Sequence, residues 1–292
     1  MIDIPIHGLG TALITPFKAD LSIDYEALDR LLDAQLNGCV DYIVVLGTTG
    51  EAATLTHEEK QKVRKHIVDY VSGRLPLVLG VGGNCTSQVL SDIDSMRHEL
   101  TDSYTAILSV CPYYNKPSQD GLFQHFYAIA EASPIPMILY NVPGRTGVNL
   151  LPKTVMRIYD AHPHKIIGIK EASGDIEQIK SLIRLANNKL LVISGDDAIA
   201  CKVIKAGGNG LISVASNAFA EDFYCIVHEQ DENLQEKYAE MIKLLFAEGN
   251  PVGIKAVLAQ KGIIGNHLRL PLVPASIVLQ QQIANKLKHN YG

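Results

Sequence analysis

The chain has 292 residues, 47% of them hydrophobic and 20% charged, enough for one large domain or two small ones with a substantial core. Lys plus Arg number 26 against 31 Asp plus Glu, and a net charge of −5 argues against a general nucleic-acid binder. Five cysteines (39, 85, 111, 201 and 225) form no CxxC pair, which points away from a disulfide framework or zinc site and toward a reducing cytosol.

In chain order, the opening MIDIPIHGLGTALITPF lacks a basic start before a long apolar run, so no signal peptide is expected. No apolar run approaches the ~18 residues of a membrane span. GTALITPF (10–17) predicts a first strand, and DYEALDRLLDAQLNG (24–38) a helix with an acidic first turn and a closing Gly. VDYIVVLG (40–47) predicts the second strand. THEEKQKVRKHIVDYVSG (56–73) reads as a helix opened by a capping box, with Thr56 and Glu59 three apart. Strands follow at LPLVLGVG (75–82), YTAILSVC (104–111), PMILYNVP (136–143), KIIGIKEA (165–172), LLVISGDD (190–197) and GNGLISVAS (208–216), with helices including TSQVLSDIDSMRHEL (86–100) and GDIEQIKSLIRLANN (174–188). Continuous apolar runs suit parallel strands covered on both faces. Eight β/α alternations predict an α/β fold, a (β/α)8 TIM barrel over residues 1–224. The rival doubly wound sheet lacks a strand–GxGxxG–helix fingerprint. Stretches 227–249, 250–262 and 274–290 read as helices, a three-helix C-terminal domain over residues 225–292.

Barrel active sites lie at the C-terminal ends of the strands, so the residues closing each run matter most. On the sixth strand, parity puts Ile166, Gly168 and Lys170 on one face, with Gly168 leaving room below the lysine stem. Tyr140 closes the neighbouring fifth strand. A lysine among apolar groups loses solvation of its charged form, and a neutral amine is a nucleophile toward carbonyls. A tyrosine beside it moves protons. Taken singly, a strand-end lysine also snorkels and a tyrosine also packs; the joint location favours chemistry. Gly-rich GVGGN (80–84) and AGGNG (206–210) do not have nucleotide-loop spacing and read as tight turns. Asp196 and Asp197 have no matching ligand set nearby, so solvated or helix-capping carboxylates are expected, and no metal. His162 and His164 fall at the wrong end of the barrel. Loops after strands 7 and 8 carry no Lys or Arg, against a phosphorylated substrate.

With these residues in place, the chain resembles the dihydrodipicolinate synthase family of pyruvate-dependent class I aldolases along nearly its whole length. The motifs are GTTGEAATL (47–55), PYYNKPSQDG (112–121), YNVPGRTG (140–147), GIKEASGD (168–175), SGDD (194–197) and RLPLVP (269–274). The resemblance implies condensation of pyruvate with L-aspartate-4-semialdehyde, on the path to diaminopimelate and lysine, with no cofactor. It implies that Lys170 forms the Schiff base, that Tyr140 shuttles protons, and that Thr48 links Tyr140 to Tyr114, a residue reaching across a dimer interface. Thr49 would hold the pyruvate carboxylate, Arg145 the semialdehyde carboxylate, and Gly195 and Ile212 would line the pocket. A cytoplasmic homotetramer, a dimer of dimers, is expected, with no nucleic-acid or membrane partner. The nearest rivals are a sialic-acid or keto-deoxy-sugar-acid lyase, which generally lacks an arginine at position 145, and a non-catalytic barrel.

Many relatives in that family are inhibited by lysine at the dimer interface. Of the lysine-sensitive pattern this chain keeps Ala53, His57, Asn84 and Tyr113. It has Ala52 for a serine, Lys60 for a second histidine and Gln88 for the glutamate that pairs with the ligand ammonium. Weak or absent lysine inhibition is the expectation.

Overall fold

The computed structural model describes residues 6–290; the first five residues of the segment read above for a signal peptide lie outside them. Strand β1 (Gly8–Ala12) leads to α1 (Tyr25–Asn37), and β2 (Tyr42–Val45) to two 3-10 turns, Thr48–Gly50 and Ala52–Thr54, and α2 (His57–Val71). Strand β3 (Leu77–Gly80) precedes α3 (Thr86–Ser95) and α4 (Arg97–Ser103), and β4 (Ala106–Val110) precedes α5 (Gln119–Ala132). Strand β5 (Met137–Asn141) is followed by the single turn α6 (Pro143–Thr146) and by α7 (Pro152–Ala161). Then come β6 (Ile166–Glu171) with α8 (Ile176–Ala186), β7 (Leu191–Ser194) with α9 (Ala200–Lys205), and β8 (Gly210–Ser213) with α10 (Ser216–Tyr224). Helices α11 (Glu232–Phe246), α12 (Val252–Gln260) and α13 (Ile277–Asn290) complete the chain. The strands pair in sequence order into a closed parallel barrel, the TIM barrel the alternation predicts.

Local chemistry explains several boundaries. Helix α2 begins in the expected capping box: Thr56 Oγ1 accepts from the Glu59 amide, and the Thr56 amide donates to Glu59 Oε2. The predicted helix at 86–100 breaks at Met96, whose φ of −107° and ψ of 9° are not helical. The predicted first strand extends too far. Its tail leaves the sheet after Ala12, and Phe17 instead makes an isolated antiparallel bridge to Ile23. That tail is apolar because it is buried, and burial alone cannot distinguish strand from coil.

Apolar side chains fall into two layers. Tyr42, Val44, Leu108, Ile138, Tyr140, Ile193 and Ile212 pack inside the barrel. A larger layer lies between strands and helices and continues into α11, α12 and α13 through Met241, Leu245, Val257, Leu258 and Ile283. Each such fully buried aliphatic contributes roughly 1.5–3 kcal/mol. The C-terminal helices thus share one continuous core with the barrel exterior. Among the described residues no helix is long and apolar enough to cross a membrane.

The parity expected for the sixth strand fails at its start. The β5–β6 register shifts between Met137 and Ile138, so Ile166 joins the outer core and Ile167 the inner one. After that shift Gly168 pairs with Ile138, Lys170 with Tyr140 and Glu171 with Asn141.

Arg269, beyond α12, grips α2 by a bidentate pair to Glu59, with N–O distances of 2.6 and 2.7 Å. These bonds hold the Glu59 carboxyl down to about 2. Because the folded value lies below the ordinary one, the pair's stabilisation is present above the unfolded value and lost as pH falls toward 2. Glu59→Gln should therefore lower the urea midpoint near neutrality, with a smaller penalty at about pH 3.5. An equal penalty at both pH values would show that the charge plays no part.

Candidate active site

Lys170 and Tyr140 sit side by side at the C-terminal mouth, 6% and 7% exposed. The Lys170 Nζ lies 4.5 Å from the centroid of the Tyr140 ring, over the negative face of its π system. Among the described residues no hydrogen bond to Nζ competes with that contact. The glycine that makes room for the lysine stem is Gly195, just after β7. A Cβ there would lie 3.0 Å from Lys170 Cε and 2.6 Å from Ala172 Cβ. Gly168, expected to have that role, instead admits Leu191: a Cβ at Gly168 would meet Leu191 Cβ at 2.9 Å.

A cavity of about 480 Å³ opens above the amine, with Thr48, Thr49, Tyr140, Arg145 and Lys170 in its wall. Thr48 and Thr49 ride on the 3-10 turn after β2, whose Gly50 carbonyl accepts from Thr15 Oγ1 at 2.7 Å. Arg145 stands on α6, a turn started by Pro143 and stopped by Gly147 at φ +73°. Ile212 lies in the inner core, 1% exposed, and is not part of the cavity wall. Tyr114 is 89% exposed, held at φ 74°, and also outside that wall. No hydrogen bond among the described residues joins Thr48, Tyr140 and Tyr114 within the chain.

The residues of the implied lysine site divide. Ala52, Ala53, His57, Lys60 and Tyr113 line the more exposed part of the same cavity, near Arg64 and Asp92. Asn84 and Gln88 do not. The Asn84 carbonyl accepts from Asn115 Nδ2, and Gln88 Nε2 donates to Asp92 Oδ1, both at 2.8 Å. Asp196 caps the turn after β7 through the Ala198 amide, as expected of a capping carboxylate. Asp197 is neither solvated nor a cap; it is buried and accepts from Ser213 Oγ and the Val214 amide, bracing the end of β8. Burial pushes its carboxyl up to about 6. Among the described residues no three His, Cys, Asp or Glu side chains cluster around a metal-sized site.

Three residues at the site were not picked out by the sequence reading. Asn250, just before α12, donates from Nδ2 to Thr49 Oγ1 at 2.9 Å and accepts at its carbonyl from Arg145 Nη2 at 3.2 Å. Glu51 closes the threonine turn in a left-handed conformation, with φ 51° and ψ 33°. Its buried carboxylate pairs with Lys255 of α12 and accepts from the Arg269 amide at 3.3 Å. Lys255 also donates to the His267 carbonyl at 3.1 Å and lies 4.1 Å from the Phe17 ring centroid. Desolvation pushes its ammonium down to about 8, with Glu51 opposing the shift. One signal was available. Lys255 interrupts the apolar VGIKAVL as Lys170 interrupts IIGIKEA.

A closed parallel barrel that buries a lysine against a tyrosine ring at its C-terminal mouth is the architecture of the imine-forming, class I aldolase-type barrels. Within that class the sequence comparison is specific. The chain belongs to the dihydrodipicolinate synthetase family, whose family model matches residues 5–290. It is 47% identical to the 4-hydroxy-tetrahydrodipicolinate synthase of Parabacteroides distasonis, over 99% of this chain and 98% of that one. Solved structures of dihydrodipicolinate synthase from Thermotoga maritima and Acinetobacter baumannii both superpose with a TM-score of 0.91, at 38% and 37% identity, over 97% of this chain and 98% of each of theirs. The Acinetobacter protein is described as chloride inhibited and complexed with pyruvate.

The Gly195 packing gives a direct test. Gly195→Ala is expected to displace Lys170 and lower kcat/KM at least about tenfold, while the fold, away from that contact, persists. Wild-type kinetics in the alanine variant would show that the lysine stem has slack.

Proposed function

We propose that this chain condenses pyruvate with L-aspartate-4-semialdehyde to give 4-hydroxy-tetrahydrodipicolinate, on the route to diaminopimelate and lysine. The observation that carries the reading is the buried Lys170 amine against Tyr140, in a chain 47% identical over nearly its full length to a synthase of that name. The barrel of residues 1–224 is assigned the chemistry and the helices of 225–292 a supporting part. Five free cysteines suit a reducing cytoplasm.

In this mechanism neutral Lys170 Nζ adds to C2 of pyruvate, and loss of water leaves a protonated imine. The imine withdraws electrons, the methyl carbon gives up a proton, and the resulting enamine attacks the aldehyde carbon of the second substrate. That substrate's amine then adds at C2, closing the ring and releasing Lys170. The imine is the electron sink, so the scheme calls for no organic cofactor or metal. Tyr140 carries protons in imine formation and ring closure, with Thr48 and Tyr114 as its relay. Thr49 binds the pyruvate carboxylate; its hydroxyl accepts from Asn250 and so keeps its own hydrogen for a ligand. Arg145, exposed at the rim, takes the semialdehyde carboxylate. Gly195 makes room for the Lys170 stem that carries the imine, while Ile212, in the inner core, supports the barrel rather than the cavity wall. Arg145 also favours this reading over a sugar-acid lyase, which has one fewer carboxylate to bind.

Tyr114 needs a partner to reach a site, since it is 89% exposed and strained. A homotetramer built on a dimer that exchanges this residue is the proposed assembly. Lysine regulation is proposed to be weak. Lys60 places positive charge where a ligand ammonium would bind, and Gln88 has no charge to offer and is engaged with Asp92.

Borohydride with pyruvate should trap one adduct per chain on Lys170; undiminished trapping in Lys170→Ala sinks the mechanism. Arg145→Ala should raise the KM for the semialdehyde about ten- to a hundredfold, and that for pyruvate less, since a charge-assisted pair is lost. A larger effect on pyruvate reverses the two carboxylate assignments. Sedimentation at assay concentration should give an oligomer, and calorimetric titration with L-lysine no sub-millimolar binding. A fully active monomer, or tight lysine binding, contradicts the respective reading.

A further inference from the structure

We infer that Glu51 and Lys255 are a positioning pair that fixes the Thr48–Thr49 turn for the pyruvate carboxylate, making α12 a working part of the active site. The inference rests on the function proposed above. Its basis is the density of ties on a short loop. Thr49 is held by Asn250, Gly50 by Thr15, and Glu51 by Lys255 and the Arg269 amide. Two of the residues holding the turn, Asn250 and Lys255, belong to α12 or the residue pair before it.

The pair is a poor device for stability alone. Both side chains are sealed from water, 1% and 0% exposed, and two buried ions repay their desolvation only with excellent geometry. A packed apolar pair of the same volume stabilises a fold as well or better. What ions add is direction. The carboxylate accepts from opposite partners, Lys255 on one oxygen and the Arg269 amide on the other, so the Glu51 side chain has one placement. Glu51 is in turn the left-handed residue that closes the threonine turn, its amide donating to the Thr48 carbonyl. Fixing its side chain fixes the backbone that carries Thr48 and Thr49. Lys255 is itself fixed by the His267 carbonyl and the Phe17 ring. Neither residue touches the space above Lys170, so both act through the turn.

The test compares Glu51→Gln, Lys255→Met and the double variant in the full chain. Each single variant leaves a buried charge unpaired and should lose thermal stability; the double leaves none and should regain most of the loss. The pyruvate KM should remain raised about tenfold or more in every folded variant, the double included, and the semialdehyde KM should move less. Hydrogen exchange of residues 47–55 should be faster in the double variant than in the unmodified chain. If the pyruvate KM returns to normal together with the melting temperature, or exchange of the turn is unchanged, the pair is merely structural and the inference fails. Should the single variants not fold, the double alone decides. An unmodified chain without condensing activity would refute the proposed function instead, while the exchange comparison would still test the tie between α12 and the turn.

Discussion

One pairing in the sheet governs the mouth of this barrel: Tyr140 on β5 lies opposite Lys170 on β6. A slip of one residue would turn the lysine from the inner face into the outer core, away from the cavity at the mouth. The register is held from behind. The next pair, Asn141 and Glu171, points outward, and the buried Glu171 carboxylate accepts from Asn141 Nδ2, the Ser173 amide and Gln178 Nε2. Asn149 joins the same network by accepting from Asn141 and Gln178. Burial raises the Glu171 carboxyl and its donors pull the other way. A carboxylate so committed tolerates no shift of either strand. The outer pair thereby fixes where the inner pair stands.

Among the described residues two lysines are buried, and their surroundings differ. Lys255 has a carboxylate, a carbonyl and an aromatic ring, so its charge is answered on several sides. Lys170 has the face of Tyr140 and an open cavity. The first arrangement suits an anchor. The second leaves an amine with an unspent lone pair once its proton is gone, facing the space where a carbonyl would sit.

The eight strands were readable because most are continuous apolar runs, as suits a sheet covered on both faces. Thr48, Thr49, Tyr140, Arg145 and Lys170 gather at one cavity because each lies at or just beyond the end of such a run. Legibility failed where contacts are remote or local geometry is irregular. Asn250 meets Thr49 across about two hundred residues, and no periodicity encodes that. The register shift at Met137–Ile138 exchanges the faces of Ile166 and Ile167; Pro136 and Gly168 flank it, but neither residue by itself says which way the pairing slips. Apolar 13–17 read as strand because the pattern reports burial, and Phe17 is buried beneath Lys255 and Arg269 rather than in the sheet. Asp197 looked like half of a solvated pair, but its neighbours Ser213 and Val214 arrive from the following strand.

The tie between Glu51 and Lys255 also sets an order in time. A ribosome delivers Glu51 early and its counter-ion only when seven-eighths of the chain has emerged. All eight strands, Lys170 included, precede that moment. Until then the Glu51 carboxylate has no lysine to meet, and the threonine turn lacks its tie to α12. A chain that stops short of residue 250 has Lys170 and both threonines but neither Asn250 nor Lys255, the two residues that hold the turn from the far end of the sequence.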